Sequence, residues 1–482
     1  MLRSGVSERK QWIGIVLVIG VVLLVADISL TNRVLRVRGD DPKPRQPHEP
    51  VIVASAAELR LMEVQAALQQ PHQPFLPSTE VPTSSPTNMS LHPRGPLQRG
   101  IVLPLFDKIA TLGASFIQEL RALHVDLPVE VPHCGDLSEG IRQRLVAEDK
   151  LVYPHDVCAM AVDMKDPLDA SRNWFCDDLA HCQKRFRSFE IKVLAVTLSR
   201  FQEVMLLDAD ALFFHSPMQI WDSRQYRETG TLFFHDRISF ETEFLAGKRG
   251  SDDTIRAMHE FLSNFDVKPF SKYPVIPRPR ATTKSKIKLP FEPSEFLLKS
   301  HSWATVTGHQ MDSSFLLWNK LRQPRATAIL AHFISLRGSY PPSYGDKEFF
   351  FQACELAETK YGFSDFAVGT YGTDVRSNGT VLCGDALHYF PESTGNITMG
   401  IPLYINSDNI LRDLSKEVLQ RTLSRSAALY PGNHNDRGLM HVCAFDVNVT
   451  NLTHLELDAF TRRQRLFKSV EEWTTPSPVA DA

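Results

Sequence analysis

The sequence lacks an excess of charge of either sign. It contains 53 Lys and Arg residues and 56 Asp and Glu residues, and its formal net charge is −3. Proteins that bind nucleic acid usually present a strongly basic surface, so this balance of charge argues against a nucleic-acid partner. The sequence also lacks a recognisable internal repeat, and its cysteines lack the spacing of zinc ligands.

Cysteine is scarce, with seven residues in a chain of 482. The positions are Cys134, Cys158, Cys176, Cys182, Cys354, Cys383 and Cys443. They allow up to three disulfides and leave one thiol over. Cys176 and Cys182 are the favoured local pair. The alternative is that all seven are reduced residues of the core.

One long hydrophobic run is present, near the N-terminus. Residues 12–30 are apolar apart from two glycines, one aspartate and one serine, and the run is close to the roughly 20 residues that a bilayer helix needs. A cleaved signal peptide is the alternative, but residues 25–27, VAD, form a poor small-residue cleavage site. We therefore predict an uncleaved signal anchor at 12–30 after a cytoplasmic tail at 1–11.

The basic residues that flank this span and the sequons that follow it bear on its orientation in the membrane. Basic residues precede the span and also follow it closely, so the positive-inside rule does not favour a cytoplasmic N-terminus. Sequons for N-glycosylation all lie downstream, at Asn88, Asn378, Asn396, Asn448 and Asn451. Together with the predicted disulfides, they favour a type II membrane protein with its bulk in the secretory lumen.

A proline-rich segment separates the span from the body of the protein. Residues 31–98 include DPKPRQPHEP and LHPRGPLQ, and proline disfavours both helix and sheet. We predict a stalk over 31–98, interrupted by a helix from Ala54 to Gln70. The chain is 43% hydrophobic, which suffices for a full core, and we predict the lumenal domain over 99–475.

Strand-like and helix-like patterns alternate along this domain. Strands are predicted at 100–105, 128–132, 204–207, 230–235 and 313–319, and helices begin near residues 109, 138, 189 and 349. Further helices are predicted at 409–423 and 455–467, and VLCGDALHYF, residues 381–390, is expected to be rich in turns. The alternation predicts an α/β fold with a mostly parallel mixed sheet flanked by helices.

The strongest functional signal is EVMLLDADALFFHSP, residues 203–217. Residues 204–207 form a continuous apolar run, typical of a strand buried on both faces. Asp208 and Asp210 follow, and their i, i+2 spacing sends both side chains to the same side of an extended backbone. Two such carboxylates suit Mg²⁺ or Mn²⁺, which leave positions open for phosphate oxygens. The alternative is a pair of loop acids that accept hydrogen bonds from nearby backbone amides.

Eight blocks of the sequence match one family pattern in order. They are RGIVLPLFDK, LPVEVPHCGDLSE, FEIKVLAV, EVMLLDADALFFHSP, SRQYRETGTLFFHDR, HQMDSSFLLWNK, YGDKEFFFQACELAETKYGF and VLCGDALHYF, from Arg99 to Phe390. Together they resemble the yeast-type Golgi α-1,3-mannosyltransferases, glycosyltransferase family 71. The resemblance implies a type II Golgi enzyme with a GT-A-like fold. Such an enzyme transfers mannose from GDP-mannose to a glycan acceptor with retention and uses Mn²⁺.

The resemblance also assigns roles to single acidic and histidine residues. Asp208 and Asp210 match the family's D-x-D motif, which binds the metal and the donor diphosphate. Asp312 matches an acidic position near the reacting carbon of related retaining enzymes, where it is either a nucleophile or a group that polarises the acceptor hydroxyl. His388 falls where such folds recruit a further metal ligand from the C-terminal side. The structural alternatives are that Asp312 caps the following strand and that His388 is an ordinary loop histidine.

Three further features complete the expected site. Lys192 and Lys347 match basic positions of the family that meet phosphate. Asp346, just before the helix predicted at 349–359, is either its N-cap or a contact in the site. The segment 268–299 is proline-rich and basic, and a loop of this length is typical of a lid, a binding segment or disorder. We predict a flexible insertion there, with contact to the acceptor or to phosphate as the alternative.

Departures from the family pattern leave the acceptor open. The family block before the late strand often reads acid, Ser, Gly, whereas this chain has Asp312-Ser313-Ser314. The alternatives in function are a related transferase that uses a UDP-sugar, a metal-dependent phosphohydrolase, and a catalytically silent glycan-binding protein. A phosphohydrolase needs further acids for a second metal, and the sequence near Asp208 offers none.

Overall fold

The structure of the protein is a computed structural model. It describes residues 56–79, 97–238, 242–249, 254–374, 381–392, 400–407, 424–426, 439–440, 443–445 and 448–474. The predicted signal anchor at 12–30, the predicted helix at 409–423 and the sequons at Asn88, Asn378 and Asn396 lie outside these ranges. No helix in the described ranges is both long and apolar enough to span a bilayer.

The helices and strands alternate through most of the described chain. The helices are α1 (Ala56–Gln69), α2 (Ala110–Ala122), α3 (Glu139–Glu148), α4 (Val157–Asp163), α5 (Leu179–Phe186), α6 (Ile191–Leu198), α7 (Arg224–Thr229), α8 (Ala257–Asn264), α9 (Glu295–Lys299), α10 (Pro324–Phe333), α11 (Phe349–Leu356) and α12 (His454–Thr474). The strands are β1 (Arg99–Val102), β2 (Val129–His133), β3 (Val152–Asp156), β4 (Lys165–Asp166), β5 (Asp169–Asn173), β6 (Glu203–Leu207), β7 (Ala211–Phe213), β8 (Thr231–His235), β9 (Met311–Asn319), β10 (Gly369–Asp374), β11 (Val381–Tyr389), β12 (Pro402–Asn406), β13 (Ser424–Ser426), β14 (Leu439–Met440), β15 (Cys443–Phe445) and β16 (Val449–Asn451).

The main sheet has the strand order β3-β2-β1-β6-β9-β8. β3, β2, β1 and β6 pair in parallel, whereas β9 is antiparallel to both β6 and β8. The prediction of an α/β fold with a mostly parallel mixed sheet is confirmed. The strand order reverses between β1 and β6, and an open α/β sheet binds its ligand at the carboxyl ends of the strands beside such a reversal.

β6 lies in the interior of this sheet because both of its faces are apolar. Val204 and Leu206 pack in one core cluster, and Met205 and Leu207 pack in a second cluster on the other side. All four side chains are fully buried. The prediction of a strand buried on both faces is therefore confirmed, and it places the carboxyl end of β6 beside the point of strand reversal.

A second sheet, in which all pairs of described strands are antiparallel, begins directly after β6. Its strands β11, β12 and β7 pair in sequence, so the chain leaves the first sheet at residue 207 and enters the second at residue 211. The expectation that residues 381–390 are rich in turns is wrong, because 381–389 form β11. Gly384 faces Gly372 of β10, and a Cβ at Gly384 would lie 2.0 Å from the carbonyl oxygen of Tyr371. The glycine therefore allows close strand approach and does not mark a turn.

Two disulfides join segments close to the parallel half of the main sheet. Cys176 pairs with Cys182, which confirms the predicted local pair, and Cys134 pairs with Cys158. Cys383 is also disulfide-bonded, and Cys354 is a buried free thiol. The alternative of seven reduced cysteines is therefore wrong.

Segment 268–299, predicted to be a flexible insertion, contacts the rest of the domain at several points. The guanidinium of Arg278 lies 3.1 Å from the carboxylate of Glu355, and both side chains are buried. The backbone of Ile276 exchanges hydrogen bonds with the Thr359 hydroxyl and the Lys360 amide. The alternating lysines Lys284, Lys286 and Lys288 are exposed, and other residues of the segment make these contacts.

The predicted helix at 54–70 is confirmed as α1, and the segment 56–79 packs on the domain. Val64 and Leu68 contact Leu151. After the helix, His72 donates from Nε2 to the carbonyl oxygen of Leu198 at 2.8 Å, and its Nδ1 accepts from the Arg200 guanidinium at 3.0 Å. These contacts require a neutral imidazole at His72.

We expect His72 to make the stability of the protein depend on pH. Burial, with further contributions from Arg200 and Lys320, lowers the pKa of His72 to about 4, whereas an unfolded histidine titrates near about 6.5. Between these values only the unfolded chain binds the proton. The contribution to stability is therefore complete above the unfolded pKa and is lost as the pH falls through this window.

Urea unfolding at two pH values measures this contribution. Between about pH 7 and about pH 5, His72 is expected to remove about 2 kcal/mol from the free energy of unfolding. The His72→Gln variant keeps a donor for the Leu198 carbonyl but cannot be protonated, so its pH dependence should be smaller by that amount. Equal pH dependence in the two proteins would show that His72 does not titrate on unfolding.

Candidate active site

Asp208 and Asp210 lie directly after β6, at the junction of the two sheets. The backbone amide of Asp208 donates to the carbonyl oxygen of Ser314 at 2.8 Å, and the amide of Ser407 donates to the carbonyl oxygen of Asp210 at 3.3 Å. These bonds tie the D-x-D segment to β9 on one side and to the end of β12 on the other. The two acids are therefore at the carboxyl end of β6, where the sequence placed them.

Lys192 of α6 joins Asp208 to a second acid, Asp346. Its Nζ lies 2.8 Å from Oδ2 of Asp208 and 3.6 Å from Oδ1 of Asp346. Burial by itself lowers the pKa of a lysine, but Asp208 and Asp346 together raise the pKa of Lys192 above its usual range. Burial raises the pKa of Asp208 to about 6, and Lys192 opposes that rise. The lysine thus balances part of the negative charge at the end of β6.

The position of Asp346 decides between the two interpretations of its sequence. The N-cap position of α11 is held by Glu348, and no side chain caps that helix. Asp346 precedes it by two residues, is 1% exposed, and contacts Lys192. Burial raises the pKa of its carboxyl group. Asp346 is therefore a member of the site and not a helix cap.

Asp312 and His388 form a buried pair between the two sheets. Nε2 of His388, on β11, lies 2.9 Å from Oδ2 of Asp312, on β9. Oδ1 of Asp312 accepts from the backbone amide of Ser314 at 2.8 Å, and the His388 ring stacks on Tyr404 with centroids 4.6 Å apart. Burial by itself raises the pKa of a carboxyl group, but His388 and Lys347 hold the pKa of Asp312 below its usual range. Asp312 is therefore ionised and held in place by hydrogen bonds to both oxygens.

Lys347 contacts an acid that the sequence analysis missed, Asp236. Nζ of Lys347 lies 2.6 Å from Oδ2 of Asp236, which directly follows β8. Burial by itself lowers the pKa of Lys347, but Asp236 and Asp312 raise it above its usual range. A signal for Asp236 was present, because it follows a predicted strand just as Asp208 does.

The site therefore contains more negative than positive charge. Its carboxylates and ammonium groups are those of Asp208, Asp210, Asp236, Asp312 and Asp346, against Lys192 and Lys347. A cleft with an excess of one charge attracts ligands of the opposite charge, and an all-oxygen set of donors suits Mg²⁺ or Mn²⁺. The chemistry of the donor set thus fits a divalent cation at Asp208 and Asp210.

Nε2 of His388 is engaged by Asp312, and the role of His388 as a further metal ligand stays a prediction. Across the described ranges, three potential ligand atoms lie within 4.8 Å of one another at His72, Glu130 and His155, and not at Asp208, Asp210 and His388. The His72 cluster itself already contains a cation. Nε of Arg200 lies 3.2 Å from Oε1 of Glu130, so the guanidinium takes the place of a metal ion.

A long-range support for the D-x-D segment comes from α12. The Arg463 side chain, fully buried, donates to the carbonyl oxygen of Ala209, between the two acids, at 2.9 Å and to that of Leu112 at 3.0 Å. It also pairs with the buried Glu119 of α2 at 3.2 Å. The neighbouring Arg462 donates to the carbonyl oxygen of Phe213 at 2.8 Å. No sequence pattern indicated this support, because Arg463 lies 254 residues from Ala209.

Fold and site together define an α/β protein with two acidic residues, Asp208 and Asp210, at the carboxyl end of a buried strand beside the point of strand reversal. The mannosyltransferase family model Mannosyl_trans3 matches residues 98–390. The match covers more than half of the chain and includes the acidic residues, the two lysines and His388 of the site. The residues at the end of β12 and in α12 that contact the D-x-D segment lie beyond it. The chain belongs to this mannosyltransferase family, which confirms the resemblance.

Curated relatives and solved structures resemble this chain over parts of its length. Alpha-1,3-mannosyltransferase MNN1 of Saccharomyces cerevisiae is 28% identical over 292 residues, 58% of this chain and 36% of that protein. Alpha-1,2-mannosyltransferase MNN22 of Candida albicans is 26% identical over 148 residues, 29% of this chain and 23% of that protein. The solved core-mannan synthase A of Aspergillus fumigatus, in its Mn/GDP form, is 12% identical with a TM-score of 0.31 over 61% of this chain and 86% of that chain. The alignments span less than half the length of these curated relatives.

Proposed function

We propose that this protein transfers a mannosyl residue from GDP-mannose to a mannose-containing glycan. The proposed reaction retains the anomeric configuration and forms an α-1,3 linkage. Membership of the mannosyltransferase family supports the sugar, and the relative MNN1, named for α-1,3 transfer, supports the linkage. The observation that carries the proposal is the acidic site at the strand reversal, which suits a cation and the diphosphate of a nucleotide sugar.

Asp208 and Asp210 would hold Mn²⁺ or Mg²⁺ in this proposal. Such an ion, when bound, acts as a Lewis acid that stabilises the negative charge of the leaving diphosphate. Lys192 keeps Asp208 ionised and oriented, because its ammonium group lies 2.8 Å from the carboxylate. Lys347, whose side chain is 28% exposed, provides positive charge that the diphosphate can reach.

Asp312 acts in this proposal as a fixed negative charge next to the reacting centre. Its oxygens accept hydrogen bonds from the Ser314 amide and from His388, and its side chain is 4% exposed. A nucleophile needs an oxygen that is free to approach the anomeric carbon. The observed hydrogen bonds therefore favour electrostatic stabilisation of an oxocarbenium-like centre over direct attack.

We also propose that the protein is a type II Golgi membrane protein with residues 12–30 as its anchor. The disulfides Cys134–Cys158 and Cys176–Cys182 support an oxidising compartment such as the secretory lumen. Two of the sequons, at Asn448 and Asn451, lie at or beside β16 within the described residues. The test is whether the tagged full chain, expressed in yeast, acquires N-glycans that an endoglycosidase removes.

Donor and product analysis tests the proposed reaction. Purified protein with Mn²⁺ is expected to convert GDP-mannose and an α-mannoside into a longer glycan, and NMR of the product should show a new α-1,3 bond. An α-1,2 product would correct the linkage. Turnover of a UDP-sugar in place of GDP-mannose would identify the other donor class. Cation binding without turnover of any donor would identify a silent binding protein.

A further inference from the structure

A cavity lies at the antiparallel edge of the main sheet, on the far side of Asp312 from β1. Its volume is about 500 Å³, within the roughly 300–1,000 Å³ of typical ligand pockets. His235 and Asp236, at the end of β8, line one side of it. Phe296 of α9 lines another side, so the segment 268–299 supplies a wall of the cavity.

The lining combines an aromatic surface with hydrogen-bonding groups of both kinds. Phe296 is partly exposed, and its ring stacks on Phe363 with centroids 4.6 Å apart. Asp236 and Glu295 line it with carboxylates that are paired with Lys347 at 2.6 Å and with Lys299 at 2.9 Å, and Lys299 is exposed with further N–H groups to donate. A sugar has an apolar C–H face and a rim of hydroxyls that both donate and accept. It therefore matches this lining, in which each carboxylate is already balanced by a lysine and the aromatic ring supplies the apolar surface.

The cavity and the expected binding site of the donor nucleotide lie at different strands of the main sheet. The alternation β1-α2-β2-α3-β3 is a βαβαβ unit, the type of half-sheet that binds a mononucleotide at the carboxyl ends of its parallel strands. The donor nucleotide is thus expected over β1 and β2, on one side of Asp208. The cavity lies at β8, on the other side, which leaves it for the second substrate.

Asp236 connects this cavity to the reacting centre. It lines the cavity and lies 2.6 Å from Lys347, whose charge acts in turn on Asp312. In the sheet, Phe234 is paired with Asp312, and the Asp236 amide donates to the carbonyl oxygen of Gln310 at 3.1 Å. A ligand in the cavity therefore lies beside the residues that surround the anomeric carbon in the proposed reaction.

We propose that this cavity binds the acceptor, through a mannosyl unit of a neutral glycan that stacks on Phe296. The identity of the ligand as an acceptor rests on the proposed function. In this arrangement α9, and with it the segment 268–299, selects the acceptor. Anchoring of the segment through Arg278 and Glu355 keeps that wall in place.

Binding without any donor tests the cavity separately from the reaction. Saturation-transfer NMR with methyl α-mannoside and α-mannobiose is expected to show binding to the full chain. Phe296→Ala removes the stacking surface and Ala367→Leu fills the cavity, and each should weaken binding by about tenfold or more. Phe261→Ala is the matched control, because Phe261 is also a partly buried ring in contact with phenylalanines, Phe265 and Phe333, but does not line this cavity. Thermal unfolding checks that each variant is folded.

Steady-state kinetics then show whether the bound sugar is the acceptor. Phe296→Ala should raise the KM for the mannoside while the KM for GDP-mannose and its hydrolysis without acceptor stay at the level of the unsubstituted protein. Mannoside binding that is absent, or equal in the unsubstituted, Phe296→Ala and Ala367→Leu proteins, overturns the cavity assignment. Mannoside binding that follows the variants, with no turnover of GDP-mannose, instead overturns the proposed donor and leaves the cavity as a glycan site.

Discussion

Asparagine in place of Asp208 or Asp210 is expected to lower the rate of transfer from GDP-mannose by about 10²-fold or more. Each substitution removes a negative charge that would hold the cation, while the amide keeps the size of the side chain. Lys192 retains Asp346 as a partner at 3.6 Å, so the core around it stays paired. Initial rates at saturating Mn²⁺, together with urea unfolding of the same preparations, measure both effects.

The matched control is Asp222→Asn. Asp222 is exposed and lies at the end of the 3-10 helix Pro217–Asp222, on the same stretch of chain but outside the acidic site. It should leave both the transfer rate and the unfolding curve unchanged. A rate near that of the unsubstituted protein in Asp208→Asn or Asp210→Asn would remove these residues from the site. Loss of folding in either variant would make the rate uninformative for that variant and shift the test to the other one.

Substitution of Glu119 by leucine is expected to destabilise the protein by about 3–5 kcal/mol, because it leaves the guanidinium of Arg463 buried without its carboxylate. Both side chains of this pair are fully buried. Burial raises the pKa of Glu119 in spite of its two arginines and lowers the pKa of Arg463 to about 10. Burial is the main cause of both shifts.

A double substitution separates stability from support of the D-x-D segment. Glu119→Leu with Arg463→Met replaces the pair by apolar groups and should regain most of the lost stability. It still lacks the donor to the Ala209 carbonyl, so the transfer rate should stay lower by about tenfold to 10²-fold. Arg465→Met, an exposed site on the same helix, should change stability by less than about 0.5 kcal/mol. Full activity in the stable double variant would show that Arg463 only fills the core.

The elements that the sequence predicted correctly are those whose own residues carry a recognisable hydrophobic pattern. The run at 204–207 identified β6 because a strand buried on both faces must be apolar throughout. β3 was missed because its sequence, VYPHD, contains one strongly apolar residue and a proline. β11 was mistaken for turns because glycine and aspartate lie in its middle, where the close approach of β10 requires a glycine at residue 384.

In the site, too, residues that are neighbours in sequence were predicted, whereas contacts between residues far apart in sequence were not. Asp208 and Asp210 follow from the chain around them, whereas the Asp312–His388 pair spans 76 residues and the Ala209–Arg463 contact spans 254. A hydrogen bond between distant positions leaves no pattern in a single sequence. The two interpretations of Asp346 were equally compatible with its sequence, and the N-cap position at Glu348 and the contact with Lys192 separated them.

The most direct test of the central claim, that Asp208 and Asp210 hold a divalent cation for a nucleotide diphosphate, is calorimetric titration of the protein with GDP. With Mn²⁺ present, GDP should bind to the unsubstituted protein, and omission of Mn²⁺ or the Asp210→Asn substitution should abolish or strongly weaken that binding. Equal GDP affinity with and without a divalent cation, or unchanged Mn²⁺-dependent affinity in Asp210→Asn, would contradict the claim.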